Sequence, residues 1–281
     1  MKKKILKAIA MVLAIILIIG VGVFANAFVG NPVSKYLATK GAKAHLEKTY
    51  GSTDFQIEEV IYDFKTCDYS AKITSPTSID SHFTLSFNFT GKLTLDTYDD
   101  VTSGWNTACR LDEDYRNLVK SVTESKDFPK NYFIAYGEIP CVLSDYPVDE
   151  KHPDFALQKE ELVLDKTYDI RELGAKSGKL IISVYDEAVT EEKLSEILLE
   201  IKERFDKAGV TFKGIDCRLE PPMEEGIASD YDNFVEVRNF LYSDINEDGL
   251  LEKVKKANKE AHEYHEEQES VKEAEIKAAE G

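Results

Sequence analysis

The chain predicts an α+β protein with three parts: an N-terminal transmembrane helix, a first domain in which a helix covers an antiparallel sheet, and a second domain built round a β-α-β unit. Three observations carry this. An uncharged stretch at residues 8–25 follows Lys2, Lys3, Lys4 and Lys7. Runs of period two fill residues 55–95 after a helical stretch at 31–50. A continuous apolar run at 180–185 precedes apolar positions at helical spacing and then a second strand pattern. The expected division is 1–30, cytoplasmic lysines and membrane helix; 31–125, first α+β domain; 126–256, second α+β domain; and 257–281, a charged helical tail.

Residues 8–25 contain no charge and only two glycines, Gly20 and Gly22. A spanning helix needs about 20 mostly apolar residues, with a lower limit near about 17. Asn26, Ala27, Phe28 and Val29 extend the stretch, so membrane contact is expected through residues 8–29. The lysines ahead of it place the N-terminus in the cytoplasm by the positive-inside bias, with the body extracytoplasmic. The expected location is the cell membrane, single-pass, held by a signal anchor. The alternative is secretion after cleavage near Ala27, because Ala25-Asn26-Ala27 has the small-residue form of a cleavage site.

The first domain opens at Asn31-Pro32. Asparagine caps a helix, and proline fits the first turn, where its missing N–H has no helical partner. The helix runs to Tyr50, with Val33, Tyr36, Leu37, Ala44 and Tyr50 as a rough apolar stripe. Phe55 and Ile57 then alternate with polar residues, Glu58-Glu59 break the phase, and Val60, Tyr62 and Phe64 resume it, which predicts a bulge. Tyr69, Ala71 and Ile73 form a second strand. Phe83, Leu85, Phe87 and Phe89 form a third, and Leu93 and Leu95 a fourth. Short connections favour an antiparallel meander. A second helix is expected over 107–124. The architecture resembles the cystatin-like and PepSY-like modules.

In the second domain, Thr190 caps a helix carrying Leu194, Ile197, Leu198, Ile201 and Phe205, and Glu191 and Glu192 favour its first turn through the dipole. Gly209 ends it. Val210, Phe212, Ile215, Cys217 and Leu219 read as a strand with a bulge at Gly214. Residues 231–241 read as helical. The tail has few apolar residues and reads as a solvated, fraying helix.

The net charge of −17 disfavours nucleic acid, whose phosphates need lysine and arginine. It suits solubility, cation binding or a basic partner. Cys67, Cys109, Cys141 and Cys217 form no C-x-x-C, which argues against structural zinc. They read as ordinary packed thiols, with two disulfides in three possible pairings as the alternative.

Asp244, Asn246, Asp248 and Gly249 spell D-x-N-x-D-G, the first half of a calcium loop. The twelfth position, where a bidentate glutamate belongs, is Lys255. Calcium is therefore the one cofactor in view, and the plain reading is a polar turn. His262 and His265 lie on the charged tail in the order H-E-Y-H-E, unlike H-E-x-x-H, and read as a solvated face. Asp80-Ser81-His82 are too close in sequence to form a triad and read as turn chemistry with Ser75 and Ser78. Trp105 reads as core or interface packing. G-x-S-x-G, a Walker loop and G-x-G-x-x-G are absent from the sequence.

Several stretches together carry a family likeness. They are Gly30-Asn31-Pro32-Val33-Ser34-Lys35, Ser75-Pro76-Thr77-Ser78-Ile79-Asp80-Ser81-His82-Phe83, Ser103-Gly104-Trp105-Asn106-Thr107 and Tyr168-Asp169-Ile170-Arg171-Glu172-Leu173-Gly174, followed by the β-α-β unit. In these the chain resembles the YfjL-like family of Gram-positive bacterial membrane-anchored proteins. The resemblance implies a membrane helix and two extracytoplasmic α+β domains, and supplies no activity or site residues. The leading functional expectation is a non-enzymatic interaction or sensing module, with another membrane or cell-surface protein as partner. The alternatives are an enzyme with an unrecognised site and a calcium-responsive surface protein.

Overall fold

The structure, a computed structural model, describes residues 2–143, 152–222 and 233–280. The chain divides into two compact units, Met1–Thr107 and Ala108–Gly281.

The first unit begins with α1 (Lys2–Val29) and α2 (Pro32–Thr49). Among the described residues, no helix is long and apolar enough to cross a membrane. This corrects the expected transmembrane helix and signal anchor. It also corrects the single-pass cell-membrane location with an extracytoplasmic body. The side chains of the expected cleavage site, Ala25-Asn26-Ala27, lie outside the described residues.

Asn31 caps α2 as its residue type requires: its Oδ1 accepts from the Ser34 N–H at 2.7 Å, and its own N–H donates to the buried Tyr69 hydroxyl at 2.7 Å. The buried stripe of α2 is Ser34, Ala38, Ala42 and Leu46, not the stripe of larger residues expected, and Val33 and Tyr36 are exposed. Small residues let the helix axis approach the sheet closely. A Cβ on Gly41 would stand 3.0 Å from the Phe87 ring and 2.9 Å from the Gly91 carbonyl oxygen.

That sheet holds β1 (Gln56–Asp63), β2 (Asp68–Ser75), β3 (Ser78–Phe87) and β4 (Leu93–Asp96), all antiparallel in the order β1-β2-β3-β4. The register shifts between Ile57 and Glu59, where the two glutamates interrupt the alternation. Tyr50, Phe55, Phe83 and Tyr98 pack ring on ring at one end of the core. His45 Nε2 and the Tyr50 hydroxyl both reach Asp96 Oδ2, at 2.8 and 3.0 Å, tying α2 to β4. The helical turn α3 (Asp99–Thr102) follows, and α4 (Trp105–Thr123) contains the boundary between the units. Trp105 is largely exposed rather than packed.

The second unit is a mixed sheet with helices. Its strands are β5 (Tyr132–Glu138), β8 (Lys179–Tyr185), β9 (Gly214–Glu220) and β10 (Val235–Leu241), in the order β10-β9-β8-β5. The short β6 (Cys141–Val142) and β7 (Leu157–Gln158) pair separately in parallel. The helices after α4 are α5 (Ile170–Ser177), α6 (Glu191–Lys207) and α7 (Leu250–Glu280). β8 and β9 are parallel and joined through α6, as the β-α-β pattern predicts. The predicted apolar face of α6 is the buried one, and the Thr190 hydroxyl caps the Lys193 N–H.

Three local expectations change. Gly214 opens β9 without a bulge in the β8–β9 register; a Cβ there would stand 2.6 Å from the Phe155 ring, so the glycine makes room for an aromatic. Val210 and Phe212 are buried but precede the strand. Residues 235–241 form a strand rather than a helix, because Val235 and Val237 alternate into the core with Glu236 between them.

The C-terminal segment is also not simply solvated. α7 is one helix from Leu250 to Glu280, and Leu250, Val254, Asn258 and Ala261 are buried against the unit. It lies on the outer edge of β10. The Glu236 N–H, which points away from β9, donates to Asn258 Oδ1 at 2.9 Å, so the helix satisfies an edge-strand donor.

Around Tyr115 of α4 the chain places three glycines. A Cβ on Gly137, Gly174 or Gly178 would stand 2.8, 2.5 or 2.5 Å from atoms of its ring. The fully buried ring donates its hydroxyl to the Thr211 carbonyl at 3.1 Å.

Candidate functional site

The second sheet has an apolar face and a polar one. Leu180, Ile182 and Val184 of β8, Ile215, Cys217 and Leu219 of β9, and Val235 and Val237 of β10 turn into the core. The intervening residues face the other way, as strand geometry dictates. One charged residue from each of three strands meets on this face: Glu138 pairs with Lys179 across β5–β8, and Asp216 of β9, opposite Ile181, reaches Lys179 diagonally.

Lys179 is only 9% exposed. A lysine is almost never that buried without partners. Its ammonium stands 2.7 Å from Asp216 Oδ2 and 3.7 Å from Glu138 Oε1. Burial raises the Glu138 carboxyl above its ordinary value, and the pull of Lys179 offsets this only in part.

The fourth strand ends the row with an irregularity. Val237 pairs with Cys217 and Phe240 with Ile215, so Arg238 and Asn239 together stand opposite the single residue Asp216. This is a bulge, and it re-aims side chains that would otherwise point to opposite faces. Both Arg238 and Asn239 line one cavity as a result. Asn239 takes φ +48°, the left-handed region that asparagine tolerates better than most residues. Its N–H donates to Asp216 Oδ1 at 2.6 Å. Its side-chain Oδ1 is buried and has no hydrogen-bond donor among the described residues.

The cavity holds about 410 Å³ and is lined by Glu138, Lys179, Arg238, Asn239, His152 and Tyr264, among others. The Arg238 guanidinium lies over the Tyr264 ring at 3.7 Å. That stack uses its faces and leaves its in-plane N–H donors for another acceptor. A larger cavity of about 620 Å³ lies beside Phe128 and Tyr136. Of its cations, Arg116 is paired with Asp112 and Lys120 with Glu124, whereas Lys126 and Lys130 have no ion pair among the described residues, and the buried Tyr132 hydroxyl of its lining has no hydrogen-bond partner there.

A second group on the polar face joins β10 to α7. Glu236 accepts from His265 at 2.7 Å and from Arg218 at 3.3 Å, while His262 stacks on Phe234 at 4.3 Å. The two histidines therefore pack against the sheet rather than forming a solvated face.

The residues singled out in the sequence are placed as follows. Asp244 closes a short 3-10 turn and pairs with Lys253 at 2.8 Å. The Asn246 amide donates to the Ser243 carbonyl at 3.0 Å, and Asp248 is exposed. Lys255, at the twelfth position, pairs with Glu252. Among the described residues, no group of three or more His, Cys, Asp or Glu is disposed to hold a metal ion. Asp80 is buried and accepts from the Thr107 hydroxyl at 2.9 Å. The Asn106 amide bridges the Asp80 and His82 carbonyls, so this stretch anchors the start of α4. Ser75 and Ser78 accept from the Thr77 and Ser81 N–H groups in the turn. None of the four cysteines is in a disulfide; Cys217 is buried and Cys141 half-buried. Burial pushes the Cys141 thiol up to about 12.

A helix on an antiparallel meander, followed by a mixed sheet with a charged row and a polar cavity, defines a two-part α+β protein. The YfjL-like N-terminal domain matches residues 4–97, and the YfjL-like C-terminal domain matches residues 114–255. The chain belongs to the YfjL-like family. No curated protein and no solved structure matches it.

Proposed function

We propose that the protein is a non-enzymatic interaction or sensing module whose second unit binds a small polar molecule in the cavity beside the β10 bulge. The observation that carries this is the Asn239 amide oxygen, buried without a donor on a residue held in the left-handed region. An unmet buried acceptor costs about 1–3 kcal/mol. Strain and unmet polar groups of this kind cluster at ligand sites, where a bound molecule supplies the missing partner.

The non-enzymatic reading rests on how the other groups are engaged. Lys179 is held by two carboxylates, and Asp216 accepts from both Lys179 and the Asn239 N–H. Groups committed in this way serve as scaffold rather than as nucleophile or general base, which need a free lone pair at the substrate. Burial also holds the Cys141 and Cys217 thiols far from the thiolate form that a reactive cysteine requires.

The test is a thermal-shift screen of the full chain against amino acids, short peptides, sugars, nucleotides and polyamines, repeated on Arg238→Ala. A hit that raises Tm for the natural chain and not for the variant supports the reading. A panel with no hit, or with hits indifferent to Arg238, overturns it.

A further inference from the structure

Resting on the cavity being a ligand site, we infer that its ligand carries a carboxylate next to an N–H donor, as a free α-amino acid or the C-terminal residue of a short peptide does. Two unmet groups on adjacent residues define that pattern. Asn239 Oδ1 is an acceptor without a donor, and it asks for an N–H or O–H. Arg238 offers in-plane N–H donors beyond its stack on Tyr264, and no carboxylate reaches it among the described residues. A guanidinium with free in-plane donors matches a carboxylate bidentately.

The bulge makes the two requirements simultaneous. In a regular strand, residues 238 and 239 would face opposite sides of the sheet. Here both line the same cavity. A ligand that satisfies both must hold its anionic oxygens and its N–H on neighbouring atoms, as an α-amino acid backbone does.

Glu138 and Glu260 lie in the same cavity and favour the nitrogen end of such a ligand, while Lys179, also in the lining, is already held by Glu138 and Asp216. Pro140, Pro153 and Ala261 supply apolar wall for a side chain. The volume, about 410 Å³, falls at the small end of ligand pockets, which run from about 300 to 1,000 Å³. A sugar would leave the guanidinium without an anion. A polyamine would place a cation beside it. A nucleotide would bring phosphates against Glu138 and Glu260.

The experiment titrates the full chain calorimetrically with free leucine, trialanine, trialanine C-terminal amide, glucose and spermidine. The expected result is binding of trialanine or leucine, with loss of at least tenfold for the amide. Arg238→Lys, which keeps the charge and the aliphatic stem, weakens the same ligand about tenfold because the bidentate fork is gone. Asn239→Gly, which tolerates the same backbone conformation and removes the carboxamide with its acceptor, weakens it by a similar factor. Leucine bound more tightly than trialanine identifies a free amino acid as the source, and the reverse order a peptide terminus. Glucose or spermidine binding that depends on Arg238 or Asn239 overturns this ligand class while the cavity remains a binding site. Equal binding of trialanine and its amide also overturns it. Binding of none of the five overturns the ligand class, and the broader panel then decides whether the cavity binds anything.

Discussion

Replacing Asn239 with glycine should stabilise the protein, and the size of the gain follows from the bulge. A non-glycine residue in the left-handed region costs about 1–2 kcal/mol, less for asparagine than for most. The buried Oδ1 without a donor adds about 1–3 kcal/mol. Glycine removes both costs and brings an entropic penalty of about 0.5–1 kcal/mol. The Asn239 N–H bond to Asp216 is a backbone bond and survives. The balance is about 1–4 kcal/mol in favour of Asn239→Gly. Equilibrium urea unfolding, followed by a probe that reports the second unit, reads this as a higher midpoint at unchanged slope. Asn239→Ala should be less stable than the glycine variant by about 1 kcal/mol, since it loses the orphan acceptor but keeps a Cβ at positive φ. A glycine variant that unfolds at a lower urea concentration than the natural chain would refute the reasoning, because the amide would then be holding the bulge together. A stabilised variant that loses ligand is the trade expected of a binding residue.

Three further outcomes follow from the same face and its core. Asp216→Ala strips the buried Lys179 of its nearer partner and the Asn239 N–H of its acceptor, and should cost about 3 kcal/mol or more in urea unfolding. Gly174→Ala brings a Cβ to 2.5 Å from the Tyr115 ring and 2.9 Å from the Thr211 carbonyl oxygen. It should lower stability by about 1–3 kcal/mol, with Tyr115→Leu in the same chain restoring part of the loss, measured by thermal unfolding. Glu138 has a folded-state pKa raised above its ordinary 4.5, so the folded protein keeps its proton to higher pH than the unfolded chain does. The stability this lends is present at low pH and is lost as pH rises above 4.5 through the folded value. Glu138→Gln should flatten that fall in a plot of unfolding free energy against pH; an unchanged slope assigns it to another group.

What could be read from the sequence depended on whether burial used large apolar residues at a steady period. β8, α6 and β9 were legible because Leu180 to Tyr185 are apolar but for Ser183 and the apolar residues of α6 recur every three or four positions. The Ile57/Glu59 bulge was legible because two glutamates break a clean alternation. The face of α2 was not, because alanines bury it, and alanine carries little hydrophobic signal beside the exposed Val33 and Tyr36. The same holds for the middle of α7, where after Leu250 and Val254 the contacts pass to Asn258 and Ala261 within a run of charge. β10 read as a helix because its bulge spoils the period of two at Arg238-Asn239. The site itself was invisible for a related reason. It draws one or two residues from each of four strands, and no local spacing records that Glu138, Lys179, Asp216 and Asn239 come together. The available signal was weaker: Lys179 is the single charge of the otherwise largely apolar β8, where a charge needs a partner.

The position of Asn258 bears on how the second domain can be handled in isolation. The matched family region ends at residue 255, while the helix that shields β10 runs on to Glu280. A protein cut at 255 would lose Asn258, Ala261 and Tyr264 together. β10 would then present the Glu236 N–H, and the rest of its outer backbone, as an open template for strand addition. Such a fragment should pair with itself edge to edge and elute as dimers and larger species, with its cavity lacking one wall. A fragment carried through to residue 280 should stay dispersed. A boundary drawn at the end of the family match would remove the Asn258 contact that covers this edge donor.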